Sequence, residues 1–155
     1  MLSIVIEIDS VRFDLDGRAT GIVFWDAGGV RFPESNWNDS LLVVFEWWLD
    51  ATLRLLRNET NAEELRFMDG PFWVSLEATG DELRTRFVDG RFGEDVKADF
   101  LTKEYELAWA VLSSAQRFCH YCRSATSANV HTKKLQRSCE HVASILKEQG
   151  LDAKQ

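Results

Sequence analysis

The sequence has few cysteines, few histidines and no long apolar run, and each scarcity removes a class of protein. Three cysteines in 155 residues, an odd number with no secretion signal ahead of them, argue against a disulfide framework and for reduced thiols. No stretch reaches the roughly 18 to 20 apolar residues needed to cross a bilayer, because Glu46 and Asp50 interrupt the most apolar segment. The start, MLSIVIEIDS, lacks a basic lead-in and carries Glu7 and Asp9 within a strand-like alternation, so a cytoplasmic address is expected. P-loop, GxSxG, HExxH and dinucleotide fingerprints are all missing, which leaves the short-motif enzyme classes without support. The three histidines, His120, His131 and His141, have only Glu140 as a nearby carboxylate, too little for a local triad, and read as surface residues.

Basic residues are scarce in one part of the chain. Residues 1–100 hold 20 Asp and Glu against 10 Lys and Arg, a net −10, whereas residues 101–155 hold 5 against 8, a net +3. An acidic body attracts basic partners and repels nucleic acid, since the long-range field governs encounter. Arg117, His120, Arg123, Lys133, Lys134 and Arg137 near the C-terminal turn therefore read as a solvated helix end rather than a nucleic-acid patch.

What is abundant is aromatic and apolar surface: six Trp and ten Phe in a chain that is 45% apolar and 28% charged. That is enough for one core, and a single domain over 1–155 is expected. Alternation in IVIEIDSVRFDL, the turn signal Asp16-Gly17 and then ATGIVFW predict a β-hairpin, and VRF after Asp26-Ala-Gly-Gly29 predicts a third strand. Asn36, Asn38, Asp39 and Ser40 are capping residues ahead of a helix predicted over about 39–58, so apolar that it is expected to be sandwiched between other elements. FWVSLEA and LRTRFV predict further strands around Met68-Asp-Gly-Pro71 and Thr79-Gly-Asp-Glu82. From Phe100 the apolar period becomes helical, predicting helices over about 98–123 and 129–149 with a break at Ser124–Ala128 and Gly150 as C-cap. The expected architecture is α+β: an antiparallel meander of about five to six strands over 1–97 with one inserted helix, packed on that central helix and on a helical hairpin over 98–150.

The stretch RFCHYCRSATSANVH is the one place with metal-like spacing. If the hairpin turns near residue 126, Cys122 lies beside His131 and Cys119 beside Lys134. Cys139 and His141 then fall opposite residues 111–114, on the order of 13 Å away at ~1.5 Å per residue. At best Cys119, Cys122 and His131 make three zinc ligands. Both cysteines also fall on the apolar helix stripe, where a reduced thiol is a small hydrophobe, and core packing is the preferred reading. No metal or cofactor is expected. A redox role for Cys-x-x-Cys is disfavoured, because the pair lies near a helix C-terminus, whose dipole opposes thiolate.

Asp26, Asp69 and Asp89 stand at turns, beside Glu34 and Asp39. Asp followed by Gly is hairpin chemistry first, so these carboxylates support no enzyme by themselves. Trp37 and Trp47, flanked by acids, have the character of aromatic anchors at a protein interface. The segments FPESNWNDSLLVVFEWWL and LRFMDGPFWVSL, within an acidic α+β frame, resemble small bacterial proteins, nearest in kind to immunity proteins of polymorphic toxin or contact-dependent inhibition systems, over roughly residues 1–80. The resemblance implies a cytosolic, non-catalytic stoichiometric inhibitor that covers the active site of a basic toxin such as a nuclease. Asp26, Glu34, Trp37, Asp39, Trp47, Asp69 and Asp89 are the expected partner contacts, with neither nucleic acid nor membrane as partner. The alternatives are an enzyme or metal protein with a loop-built carboxylate or Cys/His site, and a homodimer or larger homo-oligomer joined through the first helix.

Overall fold

A computed structural model describes residues 1–125 and 130–151 as an α+β fold with eight antiparallel strands and three helices among those residues. The first sheet contains β1 (Leu2–Phe13), β2 (Ala19–Ala27), β3 (Val30–Phe32) and β4 (Asn38–Ser40), with β2 paired to all three others. The chain then enters α1 (Leu41–Leu56) directly from β4, which carries it away before β5 (Ala62–Arg66), β6 (Phe72–Thr79), β7 (Glu82–Asp89) and β8 (Asp95–Lys103) form a second sheet in that order. This crossing splits the expected meander into two four-stranded sheets. The chain closes with α2 (Glu104–Ala125) and α3 (Val130–Glu148).

The first hairpin forms as its turn chemistry requires. Asp14 Oδ1 accepts from the amides of Asp16 and Arg18, and Gly17 takes φ 78°, a left-handed conformation glycine adopts without steric cost. At the other end of the chain Gly150 has φ 72°, and the amide of Leu151 donates back to the carbonyl of Leu146 at 2.8 Å, ending α3 as expected.

α1 is the centre of the molecule. Ten of its sixteen residues are buried, and it touches β2, β5, α2 and α3, so it is sandwiched as its composition requires. Trp48 is fully buried, edge-on to Trp25 and Phe45 at 5.5 Å and to Phe67 at 5.2 Å, and its indole N–H donates to the carbonyl of Arg66 at 2.8 Å. Burying such a ring removes about 1.5–3 kcal/mol of apolar hydration cost per side chain, and the edge-on pairs add to that. One continuous cluster of buried residues draws on both sheets and all three helices.

Two expectations are corrected. Residues 98–103 are not the first turns of α2: they lie in β8, laddered onto β7 with Leu83 opposite Thr102 and Thr85 opposite Phe100. A short apolar run is ambiguous between periods, and an open strand edge decided it. Ser40, the residue before α1, makes no side-chain cap; Asp39 turns away from the helix to serve the second sheet. The break expected over Ser124–Ala128 does not begin at its first two residues, because Ser124 and Ala125 continue α2; residues 126–128 and the expected start at Asn129 lie outside the described residues. No helix among the described residues is long and apolar enough to cross a membrane.

Candidate functional site

Four of the sequence-predicted acids and one predicted aromatic converge at one corner of the molecule. The corner is built from the β3–β4 loop, the β5–β6 turn and the β7–β8 hairpin. Trp37 packs edge-on against Phe72 at 5.0 Å and Phe67 at 6.3 Å, and its indole N–H donates to Asp39 Oδ2 at 2.8 Å. Asp39 is wholly buried, and its two oxygens also accept from the amides of Ser40 at 2.7 Å, Met68 at 3.2 and 3.3 Å and Asp69 at 3.3 Å. Burial pushes its carboxyl above the ordinary range, against the pull of those donors. Asp39 is therefore no partner contact: it clamps β4 to the β5–β6 turn.

The turn that Asp39 holds is packed to its limit. A side chain at Gly70 would meet Phe72 and Trp37 at 2.8 Å, and one at Gly90 would meet Trp73 at 2.6 Å and the Pro71 carbonyl oxygen at 2.8 Å. The amide of Gly90 donates to that Pro71 oxygen at 2.7 Å, joining the β7–β8 hairpin to the β5–β6 turn. Asp89 is buried at the end of β7 and accepts from the backbone N–H of Arg91 at 3.0 Å and from its guanidinium at 2.8 Å. The side-chain hydrogen bonds of Arg91 hold the Asp89 carboxyl below the usual carboxylate range. Asp89 is thus also withdrawn from partner contact; like Asp39 it was legible only as an acid at a turn, and its inward side of the strand sets its role.

What this scaffold presents outward is Phe92. The side chain is 94% exposed at the hairpin tip, between Arg91 and Gly93, and Met68 is half exposed on the neighbouring turn. Arg91 spans the base of the tip, its guanidinium 5.3 Å from the Phe72 ring centre and within the field of Glu34 and Asp95. Glu34, Asp69, Glu94 and Asp95 are exposed around it, with Lys97 paired to Asp95 at 2.7 Å. Around the tip the four exposed acids outnumber Arg91 and Lys97 by four to two, with Arg91 held by the buried Asp89. The sequence reading passed over Phe92; the signal was there in Asp-Gly-Arg-Phe-Gly, an aromatic at the tip of a hairpin where nothing can cover it.

The other predicted residues lie elsewhere. Asp26 belongs to the β2–β3 turn, where it accepts from the Gly29 amide at 3.0 Å and pairs with Arg31 at 3.5 Å. Trp47 is 45% exposed on the outer strip of α1. Cys119 and Cys122 are buried on α2, while His131 is exposed and lines a different concavity with Arg18, Leu42 and Met68. Cys139 does not fall opposite residues 111–114, as the assumed register required: it lines one open groove with Gln116, Cys119, His120 and Arg123 of α2. The helices meet in a register shifted by several residues from the assumed one, with Phe118, Leu135 and Val142 in the core. Among the described residues no group of three or more His, Cys, Asp or Glu side chains is arranged to hold a metal ion.

The corner thus presents one exposed ring, Phe92, on a tightly packed hairpin base, with the exposed carboxylates of Glu34, Asp69, Glu94 and Asp95 on the neighbouring turns. Comparison with protein-family models, curated proteins and solved structures gives no match for this chain, so its reading rests on this geometry.

Proposed function

We propose that this chain is a non-catalytic binding protein that docks a basic protein partner on the Phe92 corner. The observation that carries the reading is Phe92 itself, a fully presented ring whose hairpin is fixed from beneath by Asp89–Arg91 and Gly90–Pro71. A preorganised aromatic loses little conformational entropy on binding, and the surrounding Glu34, Asp69 and Glu94 favour a cationic partner and speed its approach. The resemblance to immunity proteins gives the partner a class: a basic toxin domain, a nuclease being the example its charge fits. Inhibition then consists of covering the toxin's own site, and needs no group transfer by this chain.

The test is binding to basic nuclease toxin domains, followed by surface plasmon resonance at several salt concentrations. Phe92→Ala should weaken the complex by about 2 kcal/mol or more, roughly thirtyfold, mainly through faster dissociation. The triple change Glu34→Gln, Asp69→Asn, Glu94→Gln should slow association and flatten its salt dependence. Unchanged affinity in Phe92→Ala would refute the assignment.

A further inference from the structure

A sheet edge exposes unpaired backbone groups, and natural edges are blunted by charge, by bulges or by shortness. β3 and β4 have three residues each and β5 has five, while β8 carries Asp95, Lys97, Asp99 and Lys103 beside a register shift at Phe87/Val88. β1 pairs with β2 alone among the described residues, and its charges and its register shift lie in its second half, from Glu7 to Arg12. Leu2–Ile6 is left as an edge without charge, proline or bulge.

The register fixes which backbone groups that edge presents. Alternate residues of an antiparallel strand bond to the partner strand, and the others point away from it. The amide of Gly28 donates to the Met1 carbonyl at 3.4 Å, which puts Met1, Ser3 and Val5 in the bonded class, the last two opposite Asp26 and Phe24. Val23, the partner of Ile6, agrees, because its amide donates the other way, to the Trp37 carbonyl at 2.9 Å. The amides and carbonyls of Leu2 and Ile4 therefore point out of the sheet edge. Both residues are half-buried, and they line an open groove of about 490 Å³ with Tyr105, Glu106, Trp109 and Ser113 of α2. The Trp109 indole N–H donates to the Leu151 carbonyl at 2.9 Å, which fixes that ring. A second groove of about 300 Å³ continues past Met1 and Leu2 to Phe100 and Leu101. Glu106 lines both, and it is the one charged side chain among the described residues that line either.

We infer that this groove takes an extended segment of a partner protein as an added strand, with an apolar side chain on the Trp109 side and a lysine or arginine two residues away on the Glu106 side. An edge strand flanked by a helix supplies both parts of strand addition: main-chain bonds from Leu2 and Ile4 give affinity, and the groove along α2 reads alternate side chains of the guest. Glu106 and Trp109 are about 4.5 Å apart along the helix axis at ~1.5 Å per residue. Same-face residues of a strand are ~6.6 Å apart, a mismatch that a long basic side chain spans. A second copy of β1 fits less well. Paired about Ile4, it brings Glu7 opposite Met1, at the end of the groove that Glu106 lines, and it brings no basic side chain between Leu2 and Glu7. The site is independent of the Phe92 tip, which precedes the first residue of β8, whereas Leu101 lies near the last.

The probes are the peptide acetyl-Thr-Lys-Thr-Ile-Thr-Lys-Thr-amide, whose lysines flank the isoleucine on one face so that either strand direction brings a cation to Glu106, and its counterpart with both lysines replaced by glutamate. Each is titrated into the isotope-labelled full-length chain and followed by amide NMR. The lysine peptide should shift the amide signals of Leu2 and Ile4 and the Trp109 indole, and should bind roughly threefold tighter or more than the glutamate peptide. Glu106→Lys should remove that preference. Ile4→Pro should keep the fold, since the Ile4 amide takes no part in the β1–β2 ladder, and should abolish the shifts. If Ile4→Pro unfolds, the Glu106→Lys result decides alone. Shifts spread over the acidic surface and unchanged in Ile4→Pro, equal binding of the two peptides, or binding of neither would overturn the proposal. So would a homodimer in light scattering that Ile4→Pro dissociates, because a second copy would then occupy the groove.

Discussion

Replacing Asp39 by Asn isolates the clamp beneath the Phe92 corner, because the side chain keeps its size and loses one acceptor. Oδ1 of Asp39 serves the amides of Ser40 and Met68, and Oδ2 serves Trp37 Nε1 and the amides of Met68 and Asp69. Whichever way the Asn amide is turned, its NH2 faces protein N–H groups where an oxygen stood. With the oxygen kept at the Oδ1 position, Trp37 Nε1 and the Asp69 amide lose their acceptor. A buried donor left without an acceptor costs about 1–3 kcal/mol. Trp37 is half-buried and Asp69 exposed, so water recovers part of the loss, and the low end applies to each. The expected destabilisation is about 2–3 kcal/mol, which for a chain of this size lowers Tm by roughly 4–12 °C.

Urea unfolding followed by tryptophan fluorescence measures this directly: the midpoint should fall with the slope unchanged. The pH dependence adds a signature. Burial raises the Asp39 carboxyl above its ordinary 3.8, so its ionisation costs more in the fold than in the unfolded chain. The stability that protonated Asp39 contributes is complete below 3.8 and is lost as pH rises through the folded value. Asn does not titrate, so the gap between wild type and Asp39→Asn should narrow over that window as pH rises. An Asn variant within about 0.5 kcal/mol of wild type would refute the clamp.

Two further outcomes follow from the same geometry. Glu46 on α1 is half-buried against α3, accepting from Ser138 at 3.2 Å, and burial raises its carboxyl above 4.5 despite Lys134 and Arg137; Glu46→Gln should therefore raise the urea midpoint at pH 7, an advantage that disappears as pH falls below 4.5. Gly90→Ala should destabilise by about 1–3 kcal/mol in the same assay, since the added methyl meets Trp73 at 2.6 Å and the Pro71 carbonyl oxygen at 2.8 Å, and a neutral result would show that the hairpin is free to shift.

Local rules carried the sequence far where one element decides its own fate. The first hairpin, the strands around Met68–Pro71, the sandwiched α1 and the end of α3 at Gly150 all follow from turn residues, period and capping. What could not be read locally depended on which neighbour was free. Residues 95–103 could satisfy a strand or a helix, and the open edge of β7 chose the strand. That Cys119 and Cys139 line one groove depended on how α2 slides along α3, a register that no spacing within either helix encodes. At the corner the acids were legible as a group, but their separation into buried and exposed members was not. Asp39 and Asp89 face inward because they occupy the core side of β4 and β7, a property of register.

That separation explains how a surface so rich in acid can also be rigid. A hairpin tip bearing a bare phenylalanine would collapse its ring onto the nearest apolar surface unless its backbone were held, and every local device that holds it uses an inward acid or a tightly packed glycine. Asp89 fixes Arg91 on one flank of the tip, Gly90 bonds to Pro71 beneath it, and Asp39 anchors the turn that carries Pro71. The outward acids Glu34, Asp69 and Glu94 are thereby left to set the field around an exposed ring whose hairpin base is hydrogen-bonded in place. Loss of the inward acids should therefore harm stability first and binding second, whereas loss of the outward ones should leave stability alone and change the rate at which a cationic partner arrives.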